Sequence, residues 1–392
     1  MPLPEPSFSI GVEEEYMLVD LGSRDLVAEP PPELTTTLED QLGKQFSREL
    51  LRTQIEVGTK VCKDISELRD DLARLRGAVS AIAGEYAMAP IASSTHPFAN
   101  WRVQKVTDRE RYQALGDDLQ VVGSRALIGG MHVHVGIEDD DLRIDLLNQL
   151  TYFLPHLLAA STSSPFWEGE LTGLMSYRTS VFSELPRTGP PEQFESHADY
   201  VQTVAVLQDV GLIDDASKIW WDARLSKNFP TIEMRATDIC TDIDDAICLA
   251  AVYRCVLRML TRLRRANQRW RRYSPLLIRE NRWRAQRYGI DAGLVDFGQG
   301  EIKSFADLCE ELLELIAPDA GYFGCMSEVE HLRTIVKRGT SAHRQIGVYR
   351  AALANGDSDE VAFSRVVDHL VATTVAGVEP RSHGDTSVAA RR

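Results

Sequence analysis

The chain has 392 residues, 44% of them apolar, enough to bury a large core as one big domain or two closely joined ones. Its 58 acidic residues outnumber 43 lysines and arginines and give a net charge of −15, which argues against non-specific nucleic-acid binding but not against an anionic substrate, because a metal ion can bridge like charges. No signal peptide and no run of 18 apolar residues is present, and the six cysteines form no CxxC pair, so we expect a cytoplasmic protein with buried, reduced thiols and neither membrane nor nucleic acid as a partner.

Residues 10–20, IGVEEEYMLVD, read as a strand because Ile10, Val12, Tyr16, Leu18 and Val19 favour extended structure. Alternation sends Glu13 and Glu15 to one face and Glu14 to the other. Two ionised carboxylates side by side repel, so they lie in solvent on an edge strand or are neutralised by protons, cations or a metal. PPPEL at 30–34 breaks the first strand pair and opens a short helix. SREL and TQIEVGTKV are short extended segments that carry Glu49 and Glu56. Residues 66–87 have helical apolar spacing, with Ser66 in the position of an N-cap. MAPIASSTHP is a strand running into a loop, and RERYQALGDDLQVV a short helix. Residues 126–137, ALIGGMHVHVGI, form a strand entered through two glycines. A second long helix is expected over 139–160 and an apolar, then basic, helix over 242–272. Between them, 218–238 reads as two antiparallel strands joined near Asn228–Pro230. The remainder to about 373 is mostly helical, and 374–392 is a polar tail expected to be disordered. Hairpin signals outnumber βαβ units, which predicts an α+β protein: an antiparallel sheet backed by helices on one side, with a polar channel on the other.

Several of these strands place a carboxylate or imidazole opposite their apolar residues. MHVHV puts His132 and His134 on one face, either as hydrogen-bonded core residues or as a functional pair. TIEMR puts Glu233 and Arg235 on one face, either as a structural ion pair or as part of a site. An oxygen-rich set of this kind suits Mg²⁺, or Mn²⁺, better than zinc, and carboxylate Mg²⁺ sites usually complete their shell with substrate phosphates. Arg235 would then hold a phosphate while Glu233 holds the metal. The chain has no GxxxxGK[ST], GxGxxG, HExxH or GxSxG, so a nucleotide would be held by metals and arginines. The basic run RLRRANQRWRRY at 262–273 is a solvated helix end or faces an anionic ligand.

The segments IGVEEEYMLVD, TQIEVGT, GGMHVHVGI, SSPFWEGELTGLMSYRTSVFSELPRTGPP and WWDARLSKNFPTIEMRATDICTDIDDA run in the order of one known family. Over about residues 8 to 370 the chain resembles the glutamate–cysteine ligase type 2 family, the bacterial carboxylate–amine ligases of the YbdK type. The resemblance implies a single ligase domain over 1–373 with a curved antiparallel sheet like the catalytic domain of glutamine synthetase. It also implies ATP-dependent C–N bond formation: a carboxylate, the γ-carboxylate of glutamate in the family's named activity, is activated as an acyl phosphate and displaced by L-cysteine or another amine. Glu13, Glu15, Glu49, Glu56, His132 and Glu233 match the family's metal ligands. Arg235 matches the arginine that meets the transferred phosphoryl group, and with Glu233 forms the catalytic pair. Tyr177, Arg178 and His134 match substrate-binding positions. Glu14 receives no catalytic role. The resemblance further implies a homodimer acting on small amino acids and amines. Transfer to another carboxylate or a guanidino compound, or a non-catalytic nucleotide-binding relative, are the alternatives.

Overall fold

A computed structural model describes residues 4–378 of the chain. Its centre is a seven-stranded antiparallel sheet made of β1 (Ile10–Asp20), β2 (Phe46–Arg48), β3 (Gln54–Gly58), β4 (Met88–Ile91), β5 (Met131–Gly136), β6 (Ala223–Leu225) and β7 (Thr231–Met234). The strand order is β6-β7-β5-β1-β3-β2, and β4 pairs with Met17–Asp20 on the edge that β5 uses earlier in β1. The α+β class expected from the hairpin signals is the observed one. At 11 residues β1 is the longest strand of the sheet, and five of the other strands are read against it directly or through one neighbour.

One face of the sheet is apolar. Val12 and Tyr16 of β1, Ile55 and Val57 of β3, Met131, Val133 and Val135 of β5, and Ile232 and Met234 of β7 are all buried there. They pack beneath α1 (Ile65–Gly84) and α2 (Ile243–Arg265), which also pack on each other. The N-cap of α1 is Asp64, not Ser66: its carboxylate accepts from Glu67 N at 2.8 Å while its own backbone is extended. The helix expected over 139–160 is two helices, Asp140–Leu150 and Leu154–Ser161. Pro155 explains the break, since it has no N–H and its ring would collide with the carbonyl four residues earlier. The basic run at 262–273 lies at the end of α2 and beyond it, and is taken up by ion pairs: Arg262 with the buried Asp319, Arg264 and Arg269 with Asp145, Arg265 with Glu5. It does not face the sheet.

The polar face is open over the first half of β1 and covered over the second. Met17 and Val19 point the same way as Glu13 and Glu15, but they are buried in a second core with Ile91, Phe166, Trp167 and Leu370. This core closes one end of the channel. The final helix, Asp359–Thr374, contributes to it, and the Thr374 hydroxyl accepts from Ala92 N at 2.9 Å. Arg69 also holds the carbonyl of Gly377 at 3.1 Å, so the segment through 378 is tied to the fold beyond the boundary expected at 373. The rest of the expected tail, 379–392, lies outside the described residues.

Glu14 sits at the centre of the apolar face and is fully buried. Arg76 of α1 grips it in fork geometry, Nε to Oε2 at 2.8 Å and Nη2 to Oε1 at 2.6 Å, and the Tyr16 hydroxyl donates to the same carboxylate. Arg76 also donates to the carbonyls of Cys240, Thr241 and Thr374, so one guanidinium joins β1, the entry to α2 and the last helix. All six cysteines are free and buried, as expected for reduced thiols. Removing one partner of a buried pair leaves an uncompensated charge, at a cost of about 3–5 kcal/mol. Arg76→Met is therefore expected to lose about that much in a urea unfolding series, and a loss below about 1 kcal/mol would show that the pair is dispensable.

Candidate metal and substrate site

Antiparallel register brings the predicted side chains together. Glu13 lies directly opposite His132, Glu15 opposite Glu56, and Glu233 opposite both His134 and Arg224. Since neighbours across a sheet share a face, these residues converge on the open side of β1, and Glu49 joins them from the segment after β2. Three overlapping donor sets result: Glu13, His134 and Glu233; Glu13, Glu56 and His132; Glu15, Glu49 and Glu56. Within each set one ligand atom per residue lies within 4.8 Å of the others. Glu13 links the first two sets and Glu56 the last two.

The protonation states follow from what each group faces. Burial alone would raise the Glu13 carboxyl, but His132 and His134 outweigh it and hold it far below the usual range. The His132 Nδ1 lies 3.2 Å from Glu13 Oε2, and the His134 Nε2 lies 3.4 Å from Oε1. Burial and the Arg235 charge lower His132, whereas Glu13 overcomes burial to raise His134. Glu233 is buried yet strongly acidic, because Arg235 and Arg224 flank it; Arg224 grips it with Nε at 2.9 Å and Nη2 at 3.1 Å. Arg235 Nη1 meets the same carboxylate. Glu49 and Glu56 behave oppositely. Both keep some solvent contact but lie deep within the protein. Burial and Glu15 push Glu49 up to about 7, and burial with Glu49, Glu13 and Glu15 pushes Glu56 well above its ordinary value.

These features fit a divalent cation. The donors are mainly carboxylate oxygens. The Nε2 atoms of both His132 and His134 are buried without a hydrogen-bond partner. Burial and neighbouring carboxylates raise Glu49 and Glu56, and a cation would favour their ionised forms. The residues that could hold Mg²⁺ or Mn²⁺ are Glu13, Glu15, Glu49, Glu56, His132, His134 and Glu233.

The expected substrate residues divide. Arg178 is buried and reaches the sheet: its Nη2 donates to the Arg235 carbonyl at 3.3 Å, and its Nε has no partner. It lies over Gly130, whose N–H donates to Glu15 at 2.6 Å. A Cβ at Gly130 would come 2.4 Å from Arg178 Nη2, so glycine is needed for this approach. Tyr177 instead packs against Trp167, with ring centroids 5.3 Å apart and ring planes tilted by 36°. Next to Glu13, Glu56 and His134 a cavity of about 470 Å³ opens, with Lys44, Lys60 and Phe229 in its walls. Arg224 was missed from the sequence. Its signal was available, because counting back across the 218–238 hairpin places it opposite Glu233, but only once the register is known.

An antiparallel sheet backed by helices, with an oxygen-rich donor set and buried arginines on its open face, is the class that this fold and site define. The chain belongs to the glutamate–cysteine ligase family 2, whose model matches residues 9–369. It is 59% identical over 376 residues to a protein of Rhodospirillum rubrum named "Putative glutamate–cysteine ligase 2", covering 95% of this chain and 97% of that one. A protein of the same name from Jannaschia is 50% identical over 93% of this chain and 96% of its own. Among solved structures, a bifunctional glutathione synthetase from Pasteurella multocida matches with a TM-score of 0.66 at 15% identity, over 93% of this chain and 52% of that one. A glutamate–cysteine ligase from Francisella tularensis in complex with AMP matches with 0.64 at 14% identity, over 94% and 89%. At these identities the two structures establish the shared fold.

A pH dependence follows from Glu49. Its folded pKa of about 7 exceeds the ordinary 4.5, so between those values the folded protein holds more protons than the unfolded chain. Metal-free stability should therefore fall as pH rises through that window. Thermal unfolding in chelator should show the decline, and Glu49→Gln or saturating Mg²⁺ should flatten it. Calorimetry of Mg²⁺ binding at pH 6.5 in two buffers of different ionisation enthalpy should report proton release. Equal heats in both buffers would remove Glu49 and Glu56 from the ligand set.

Proposed function

We propose that this chain is an ATP-dependent carboxylate–amine ligase that joins the γ-carboxylate of glutamate to an amine, L-cysteine or another. The reading is carried by one arrangement: a linked row of carboxylate donor sets with a large cavity at one side and Arg235 and the buried Arg178 at the other. The family membership and the names of the close relatives support glutamate and cysteine as the substrates to test first.

The cavity beside Glu13, Glu56 and His134 takes the nucleotide, with its phosphates toward the donor sets. Divalent cations, when bound, neutralise the phosphate charges and the charge developing during transfer. Arg235 presents its guanidinium to the γ-phosphoryl group, and Arg224 keeps Glu233 ionised and oriented in the same place. Arg178 meets the negative charge of the acceptor. A carboxylate oxygen attacks the γ-phosphorus, the bond to the β-phosphate oxygen breaks, and ADP leaves. The amine nitrogen then attacks the acyl carbon, the C–O bond to phosphate breaks, and the amine gives up a proton. Closure of the far end of the channel by the core around Met17 and Val19 limits access of water to the acyl phosphate.

ADP release should be followed with Mg·ATP and L-glutamate against L-cysteine, methylamine and ammonia, with the product mass read for each. Amine-dependent release of ADP, with a product lighter than its substrates by one water, is expected. Glu13→Gln should reduce turnover by about 10²-fold or more. Arg235→Ala should do the same while Mg²⁺ affinity holds or improves, because Glu233 loses a competing cation. Glu233→Gln should also lower the unfolding temperature, since both arginines lose their counter-charge. ADP release that no amine stimulates would reject ligation to those amines.

A further inference from the structure

Asp238 is fully buried and belongs to none of the donor sets. Its Oδ2 accepts from Ser163 N and from Ser164 Oγ, both at 2.8 Å, and its Oδ1 accepts from Ser176 Oγ at 2.8 Å. Its backbone is fixed too: the N–H donates to Ser161 Oγ at 3.1 Å, and the residue bridges Gly130 in antiparallel fashion. The two serine hydroxyls pass this anchoring on. Ser164 Oγ accepts from the backbone N–H of Arg178 at 3.1 Å. Ser176 caps the short helix Tyr177–Phe182, accepting from Thr179 N at 3.4 Å. Ser164 and Ser176 also bridge each other in parallel. Both hydroxyls donate to one carboxylate and accept from the turn that carries Arg178.

Arg178 needs such anchoring. Its guanidinium is buried against the Gly130 backbone, the Arg235 carbonyl and the ring of Phe182, 5.2 Å away. Among the described residues no carboxylate forms an ion pair with it, its Nε has no partner, and burial outweighs the more distant Asp238 and Glu15 charges that favour its cation. A buried cation left in this state is costly unless an anionic ligand completes it. Holding it ready requires that its backbone cannot turn away.

We infer that Asp238 is a positioning residue: through Ser164 and Ser176 it locks the start of the Tyr177–Phe182 helix so that the Arg178 guanidinium stands over Gly130, ready for the carboxylate of the acceptor substrate. The identity of that anion rests on the ligase reading above; the link from Asp238 to Arg178 does not.

The test uses the full chain with Asp238→Asn and Ser164→Ala, each alone and combined with Arg178→Ala. The first readout needs no turnover: the ¹⁵Nε–H resonance of Arg178, assigned by its loss in Arg178→Lys. It should shift and broaden in both single variants. The second is steady-state kinetics. Asp238→Asn should raise KM for the carboxylate substrate about tenfold when Arg178 is present and hardly at all when it is alanine, with KM for Mg·ATP unchanged. An unchanged Arg178 resonance, or the same loss in both backgrounds, overturns the inference. If Asp238→Asn does not fold, Ser164→Ala carries the same comparison. If no substrate is turned over by the wild type, the resonance still decides the link while the ligase reading fails separately.

Discussion

A strand with three successive glutamates must find a counter-charge on each of its faces, and the architecture is arranged around that demand. On the apolar side the demand is met permanently. Glu14 lies in Arg76's fork, and the same guanidinium ties the entry to α2 and the end of the last helix to β1. The central strand is thereby fixed in register and in depth. A one-residue slip would exchange the faces, bury Glu13 and Glu15 against leucines and expose Val12 and Tyr16.

On the open side the demand is met only in part. Arg224 and Arg235 neutralise Glu233, and two histidines hold Glu13 ionised. Glu49 and Glu56, further along the face, are pushed up instead by burial and by neighbouring carboxylates. The site is therefore graded: carboxyls are held strongly acidic at the Glu233 side and pushed up at the Glu49 side. A cation bound here would relieve the repulsion that raises Glu49 and Glu56, which would make metal binding, pH and stability three readings of one electrostatic condition. Arginines that flank carboxylates also set how strongly a cation can be held, because they compete for the same oxygens.

The sheet provides the donors and, on β6 and just after β7, Arg224 and Arg235, but not the placement of Arg178. That comes from the long insertion between β5 and β6. Its serines converge on Asp238, its short helix carries Arg178, and its Phe166–Trp167 segment joins the second core that ends the channel. The insertion and the sheet meet at Gly130, where the absence of a side chain lets a guanidinium lie directly on the backbone. Packing beneath the insertion and chemistry above it are thus coupled through a few buried hydroxyls.

The sequence alone was enough for the alternation of β1, β5 and β7, because side-chain direction in a strand depends only on position. From it came the sheet with one apolar and one polar face, the convergence of Glu13, Glu15, Glu56, His132, His134 and Glu233, and the exclusion of Glu14. Helix breaks governed by a single residue were legible in principle, as Pro155 shows. Register was not. That Glu13 meets His132, and that Arg224 clamps Glu233, depends on which strands are neighbours and how far each is shifted, and these are set by long-range packing. The partner of Glu14 lies 62 residues away on a helix, and Asp238 acts through serines 62 and 74 residues distant. Only the tertiary structure could decide these, because a buried charge takes its meaning from the groups folding brings beside it, and no local pattern encodes them.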